Sequence, residues 1–164
     1  MAGTASRTID LPLEDLPHID EHGMLVHAPR EVVWQALLKT VPGAFSARTA
    51  TRAANALGCQ ETERSGEPDR IGSTFPGFLV TRVIEPAVLA LEGQHRFSRY
   101  GLIFSLEPTK DDRTLLRAET RAEFPGIKGS AYKALVVGTR GHVVVTKRLL
   151  SRVKKRAERD AQPS

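Results

Sequence analysis

From Thr114 to Phe124 the chain alternates without a break. Leu116, Ala118, Thr120, Ala122 and Phe124 hold one parity; Arg117, Glu119, Arg121 and Glu123 hold the other. Successive strand side chains point to opposite faces, so this segment reads as a strand with one face on a core and one in water. The period of two holds from Cys59 to Phe124, with Gly and Pro between short apolar segments. Ser65-Gly66-Glu67-Pro68-Asp69 reads as a turn. Phe78 to Ile84 reads as a strand, Glu85-Pro86 as a turn and Val88 to Leu91 as a short strand. Gln94 to Leu106 reads as one long strand, joined by a turn at Lys110-Asp111-Asp112 to the alternating segment. Connections this short exclude parallel crossovers.

On both sides of this run the period is helical. Ile19 to His27 reads as a first strand, and Ala28-Pro29-Arg30-Glu31 opens a helix carrying Val33, Trp34, Leu37, Leu38 and Val41. Pro42-Gly43 is expected to end it. A weaker helix follows from Ala44 to Leu57, with Gly58 as its cap. After Pro125-Gly126 the helical spacing returns in Tyr132, Leu135, Val136, Thr139, Val143, Thr146, Leu150 and Val153. This predicts one long C-terminal helix, with Gly138 and Gly141 marking a kink or a close approach. A run of strands followed by a helix favours the α+β class.

A chain of 164 residues fits one domain. Residues 1–17, polar and carrying Pro12 and Pro17, are expected to form a flexible arm that packs Leu11, Leu13 and Leu16 loosely; residues 18–159 are the domain and 160–164 a disordered tail. With Cys59 as the lone cysteine no intrachain disulfide can form, which fits a cytoplasmic protein. The first ten residues hold no signal-peptide core, and no apolar stretch approaches membrane-spanning length. Seven basic residues, Lys147, Arg148, Arg152, Lys154, Lys155, Arg156 and Arg159, against Glu158 and Asp160 account for the whole net charge of +5. Cations suit a helix C-terminus. They would also allow a weak contact with an anionic surface, but without aromatics there is no platform for stacking bases, so no specific nucleic-acid partner is expected.

Motifs with fixed chemistry are absent from the sequence. There is no glycine-rich phosphate loop and no nucleophile elbow. His18 and His22 flank Asp20-Glu21, but no third ligand is evident; neither a metal nor a cofactor is expected.

The order of these segments resembles the helix-grip superfamily, also called START-like or SRPBCC, which includes polyketide cyclases, pathogenesis-related plant proteins and lipid-transfer domains. The resemblance rests on a strand entering Ala28-Pro29-Arg30-Glu31-Val32-Val33-Trp34-Gln35-Ala36-Leu37, the meander over residues 59–124 and the final helix. It spans roughly residues 19–155 and implies a curved antiparallel sheet gripping the C-terminal helix, with a cavity between them. Members mostly bind hydrophobic or amphipathic ligands, and a minority are enzymes. No catalytic motif common to the superfamily transfers.

Parity picks candidates for the lining of such a cavity. Arg96, Ser98, Tyr100, Leu102 and Phe104 share one parity, and Thr120 and Phe124 lie inward on the next strand. Arg96 either points inward, where it would need a carboxylate partner, or is turned to water by a bulge near Gly101. Tyr100 either satisfies its hydroxyl locally or offers it to a ligand. Phe78, Tyr132, Thr139 and His142 complete the set of candidate ligand-binding residues, with Phe75 and Phe78 around Pro76-Gly77 as a flap. Trp34 reads as packing. The expected function is binding or transport of a small hydrophobic or amphipathic molecule. The alternatives are a cyclase- or dehydratase-like enzyme, using Tyr100, Arg96 or His142, and a protein-interaction module.

Overall fold

The computed structural model describes residues 12–45, 48–138 and 140–162. Strand β1 (His18–Val26) leads into helices α1 (Arg30–Phe45) and α2 (Arg48–Leu57). Strands β2 (Thr74–Phe75), β3 (Phe78–Ile84), β4 (Val88–His95), β5 (Ser98–Pro108) and β6 (Thr114–Glu123) follow, then helices α3 (Gly126–Gly138) and α4 (Gly141–Asp160). The strands form one antiparallel sheet in the order β1-β6-β5-β4-β3-β2. The class is α+β, with the sheet wrapped on the C-terminal helix.

The concave face carries the alternating residues of β6. Leu116 and Ala118 are fully buried there with Leu89, Leu91 and Phe104 of neighbouring strands. Trp34 and Leu37 of α1, with Leu149, Leu150, Val153 and Ala157 of α4, close the same core. The spacing of those α4 residues is one helical face, and burial of that face, not propensity, holds the helix down. Lys147, Arg148, Arg152 and Lys155 remain exposed on the other side. Among the described residues no helix is long and apolar enough to cross a membrane.

Helix α1 does not stop at Pro42-Gly43 but continues to Phe45. Proline inside a helix removes a hydrogen bond and costs about 3 kcal/mol. Burial of Val41, Pro42 and Phe45 against the core opposes that cost. The expected strand over residues 94–106 is also divided, because the chain reverses at Arg96-Phe97 and pairs His95 with Ser98. Neither residue is a usual turn former. The turn is held by the Phe97 amide donating to Nδ1 of His95 at 3.1 Å. The C-terminal helical stretch is broken between Gly138 and Gly141, with Arg140 in the left-handed region at φ 54°.

The outer face of the sheet has its own small core. Leu13 and Leu16, around a single 3-10 turn at Leu13–Asp15, bury themselves on Ala90 and Ile103. Arg121 donates to the carbonyls of Glu14 and Leu16, Arg82 pairs with Glu14, and the Ala122 amide donates to Pro17 O. Leu11 lies outside the described residues. The charged parity of β6 faces the same side, where Arg117 meets Glu21 at 2.8 Å and Arg121 meets Glu119 at 2.7 Å.

Candidate functional site

The concave face is not filled along its whole length. At the end of the sheet away from Phe104 a cavity of about 300 Å³ remains between β1, β3, β4, β5, β6 and the helices. Its floor is set by register: Tyr100 pairs with Ala122 and Leu102 with Thr120, so all four side chains face inward side by side. Ile19 of β1 and Phe78 of β3 flank them, and Phe45, Leu57, Tyr132, Val145 and Leu149 form the helical walls.

The walls are mostly rings. Phe45 and Phe78 lie 4.6 Å apart by centroid, and Phe78 meets Tyr100 edge-on at 5.3 Å. His95 sits between Tyr100 and Tyr132, at 5.5 and 4.9 Å, and Phe124 tilts against Tyr132 at 6.2 Å. These separations are those of favourable aromatic pairs. The Tyr100 hydroxyl donates to Gly77 O at 2.7 Å, and Cys59 Sγ stands 3.8 Å away. Burial pushes the Tyr100 phenol far above its ordinary range, and burial raises Tyr132 too. Both therefore present neutral hydroxyls. Burial lowers His95 below its ordinary 6.5. Its Nδ1 accepts the Phe97 amide, so the neutral ring carries its proton on Nε2.

A polar corner interrupts the rings. Asp20 and His22 pair with Thr120 and Ala118, two inward positions of β6, and so also point inward. A register shift between His18 and Asp20 sets this phase. His142, in the first turn of α4, places Nε2 2.8 Å from Asp20 Oδ2, and His22 Nε2 stands 3.3 Å from the same oxygen. The other oxygen, Asp20 Oδ1, and the Thr120 hydroxyl are buried without a hydrogen-bond partner among the described residues. No group of three His, Cys, Asp or Glu among those residues is arranged to hold a metal ion.

Seven of the ten candidates thus line one cavity: Phe78, Ser98, Tyr100, Thr120, Phe124, Tyr132 and His142. Of the other three, two described residues do not join them. Phe104 is fully buried in the core below α1, because the cavity ends at Leu102. Arg96 occupies the β4–β5 turn, exposed, with its guanidinium beside Gly58 at the end of α2. The inward parity required a continuous strand that the turn interrupts. Thr139 lies outside the described residues. Phe75 forms no flap: it is fully buried where β2 turns tightly into β3, and Pro76-Gly77 is buried with it.

Several lining residues escaped the sequence. Ala122 and Leu102 carried the right parity but no polar or aromatic group to single them out. Phe45 was hidden by the expected helix end at Pro42, and His95 by the unrecognised turn. Asp20, which joins the site through His142 and does not itself line the cavity, was considered only as part of a metal spacing; its inward phase depends on the bulge beside it.

No family model matches the chain, and no curated protein matches it in sequence. Solved structures do match in shape. A norcoclaurine synthase point mutant from Thalictrum flavum, in complex with a transition-state analogue, superposes with a TM-score of 0.57 at 13% identity, over 87% of this chain and 95% of that one. A Bacillus halodurans protein gives 0.55 at 18% identity, over 87% and 98%. A Chromobacterium violaceum protein gives 0.51 at 12%, over 87% and 99%. At such identities the likeness is one of fold, and it agrees with the strand order, the two helices after β1 and the helix held by the sheet: the chain has the helix-grip fold.

Proposed function

We propose that the chain binds a small ring-containing apolar molecule, with one polar group, in the cavity between sheet and α4. The observation that carries this reading is the ring-lined hollow itself. Its volume of about 300 Å³ lies at the low end of the range for ligand sites, which suits a compact guest of two or three fused rings and not a long acyl chain. Phe78, Tyr100, Phe124 and Tyr132 offer edges and faces to a flat molecule, and His142, which meets Asp20 behind it, offers a polar end. A protein of the same fold holds a transition-state analogue, which supports the fold as a host for small guests.

The test is a titration of the full-length protein with bicyclic and tricyclic aromatic probes, 2-naphthol first, followed by methyl NMR. Saturable shifts at Ile19, Leu102 and Leu149 are the expected result. A panel that produces no saturable shift at those methyls overturns the reading. Native mass spectrometry of freshly purified protein, followed by denaturing extraction, then identifies the natural guest by its mass.

A further inference from the structure

Two histidines line the cavity, and their ring nitrogens are committed differently. His142 directs Nε2 at Asp20. His95 directs Nδ1 at its own turn, where it accepts the Phe97 amide at 3.1 Å. A neutral imidazole has one acceptor and one donor nitrogen, so this bond leaves Nε2–H as the donor, on the edge of the ring turned away from the Phe97 amide. That N–H makes no hydrogen bond among the described residues. The ring is almost fully buried, between those of Tyr100 and Tyr132. These two phenols, from β5 and α3, are the titratable groups that face it, and burial keeps both neutral. Arg96, next in the chain, turns its guanidinium to Gly58. Among the described residues no Asp, Glu, Lys or Arg lines the cavity. Burial also disfavours the imidazolium of His95, so at neutral pH the ring is an uncharged donor. A buried N–H without an acceptor costs free energy, and a guest that supplies the acceptor relieves that cost.

We propose that His95 determines specificity: its Nε2–H holds the guest by a carbonyl oxygen, so that the cavity selects ring ketones over hydrocarbons of the same shape. This rests on the reading of the cavity as a binding site and names the polar group of the guest. The lining decides between the possible acceptors. A carboxylate would be a buried charge with no Lys or Arg among the described lining residues to balance it. A hydroxyl would bring a proton that needs an acceptor of its own. A carbonyl brings only acceptor lone pairs, which is what the His95 donor lacks. Discrimination of this kind is stronger than discrimination by shape, because a guest without the oxygen leaves the donor buried and unpaired.

1-Tetralone and tetralin, one two-ring frame with and without the carbonyl oxygen, are the probes. Each is titrated into the full-length protein, and methyl NMR gives the dissociation constants. These are compared as a ratio, tetralin over 1-tetralone, so that general changes in the shape of the pocket cancel. His95→Asn puts its side-chain oxygen where Nδ1 was and can still accept the Phe97 amide, but it has no group at the position of Nε2. His95→Gln puts its amide nitrogen near that position and can still donate. The ratio should fall about tenfold in His95→Asn, as for loss of one buried donor, and stay within about threefold of its original value in His95→Gln. The 13C-labelled carbonyl of bound 1-tetralone should move downfield in the unaltered protein and lose that shift in His95→Asn, which a role for His95 in the turn alone would not produce. An unchanged ratio in His95→Asn, or a downfield shift that survives there, overturns the assignment to His95 and leaves the binding reading intact. In the unaltered protein by itself, a bound carbonyl resonance equal to that in a hydrocarbon solvent overturns it too. Failure of 1-tetralone, tetralin and 2-naphthol to bind overturns both readings together.

Discussion

The ring of Tyr100 covers Gly93, its partner across the β4–β5 hairpin, so closely that a β-carbon on Gly93 would collide with the ring and with Gly77 O. The same ring forms part of the cavity floor, and its hydroxyl is tied to Gly77. Gly93→Ala should therefore cost about 1–3 kcal/mol, as overpacking does. Gly43→Ala should instead stabilise by about 0.5–1 kcal/mol, because Gly43 lies in α1 and an added β-carbon meets nothing within 4 Å. Urea unfolding of the two variants separates a packing requirement from a general effect of glycine replacement.

Ala122 stands beside Tyr100 on the cavity floor and is almost fully buried. Ala122→Phe should place a ring in the hollow. Affinity for 2-naphthol should drop more than about tenfold, and stability should hold or rise by about 0.5–2 kcal/mol, as in cavity-filling variants. Fluorescence titration and thermal melts check the two parts. Loss of stability without loss of binding would mean that the ring had gone elsewhere.

His95 gives a pH dependence with a definite sign. Burial holds its folded value below 6.5, while the unfolded chain takes up the proton at its ordinary value. The unfolded state thus binds more protons in the acid range. The contribution is fully present above 6.5 and is lost as pH falls from there towards the lower folded value. His95→Phe should make stability fall less between pH 7.5 and pH 5 than it does in the unaltered protein. Urea midpoints at the two values, compared between the proteins, measure the difference.

The segment ahead of β1 should contribute measurably to stability. Leu13 fills a notch that exists because position 101 carries no side chain; a β-carbon on Gly101 would strike Leu13. Leu13→Ala should cost about 2–3 kcal/mol. Gly101→Ala should be less damaging in the Leu13→Ala background than alone, since the obstructed side chain is gone. A double-mutant cycle by urea unfolding reads this coupling.

Alternation and order were enough to place most of the fold. The unbroken charged and apolar parities of Thr114–Glu123 define a strand whatever its neighbours do, and β3 begins and ends where Phe78 and Ile84 predict. What the sequence did not reveal depends on contacts between distant segments. His95-Arg96-Phe97-Ser98 contains no Gly, Pro, Asn or Asp, and its reversal is held by the His95 ring accepting a backbone amide. Pro42 reads as a helix end, yet the helix runs on because its far side is buried. The inward phase of Asp20 follows from a bulge in pairing with a strand about a hundred residues later. The aromatic wall was therefore largely legible in advance, while the meeting of Asp20 with His142 required the assembled sheet.

Strand β1 lies next to β6 in the sheet, so the first and last strands among the described residues pair with each other. On a ribosome, residues 18–26 emerge long before residues 114–123 and have no edge to join until the latter are clear of the exit tunnel. Closure then joins sites about a hundred residues apart, a contact pattern that slows folding. Until that moment β5 lacks β6, its neighbour on one side, and the apolar faces of β3, β4 and β5 lack α4.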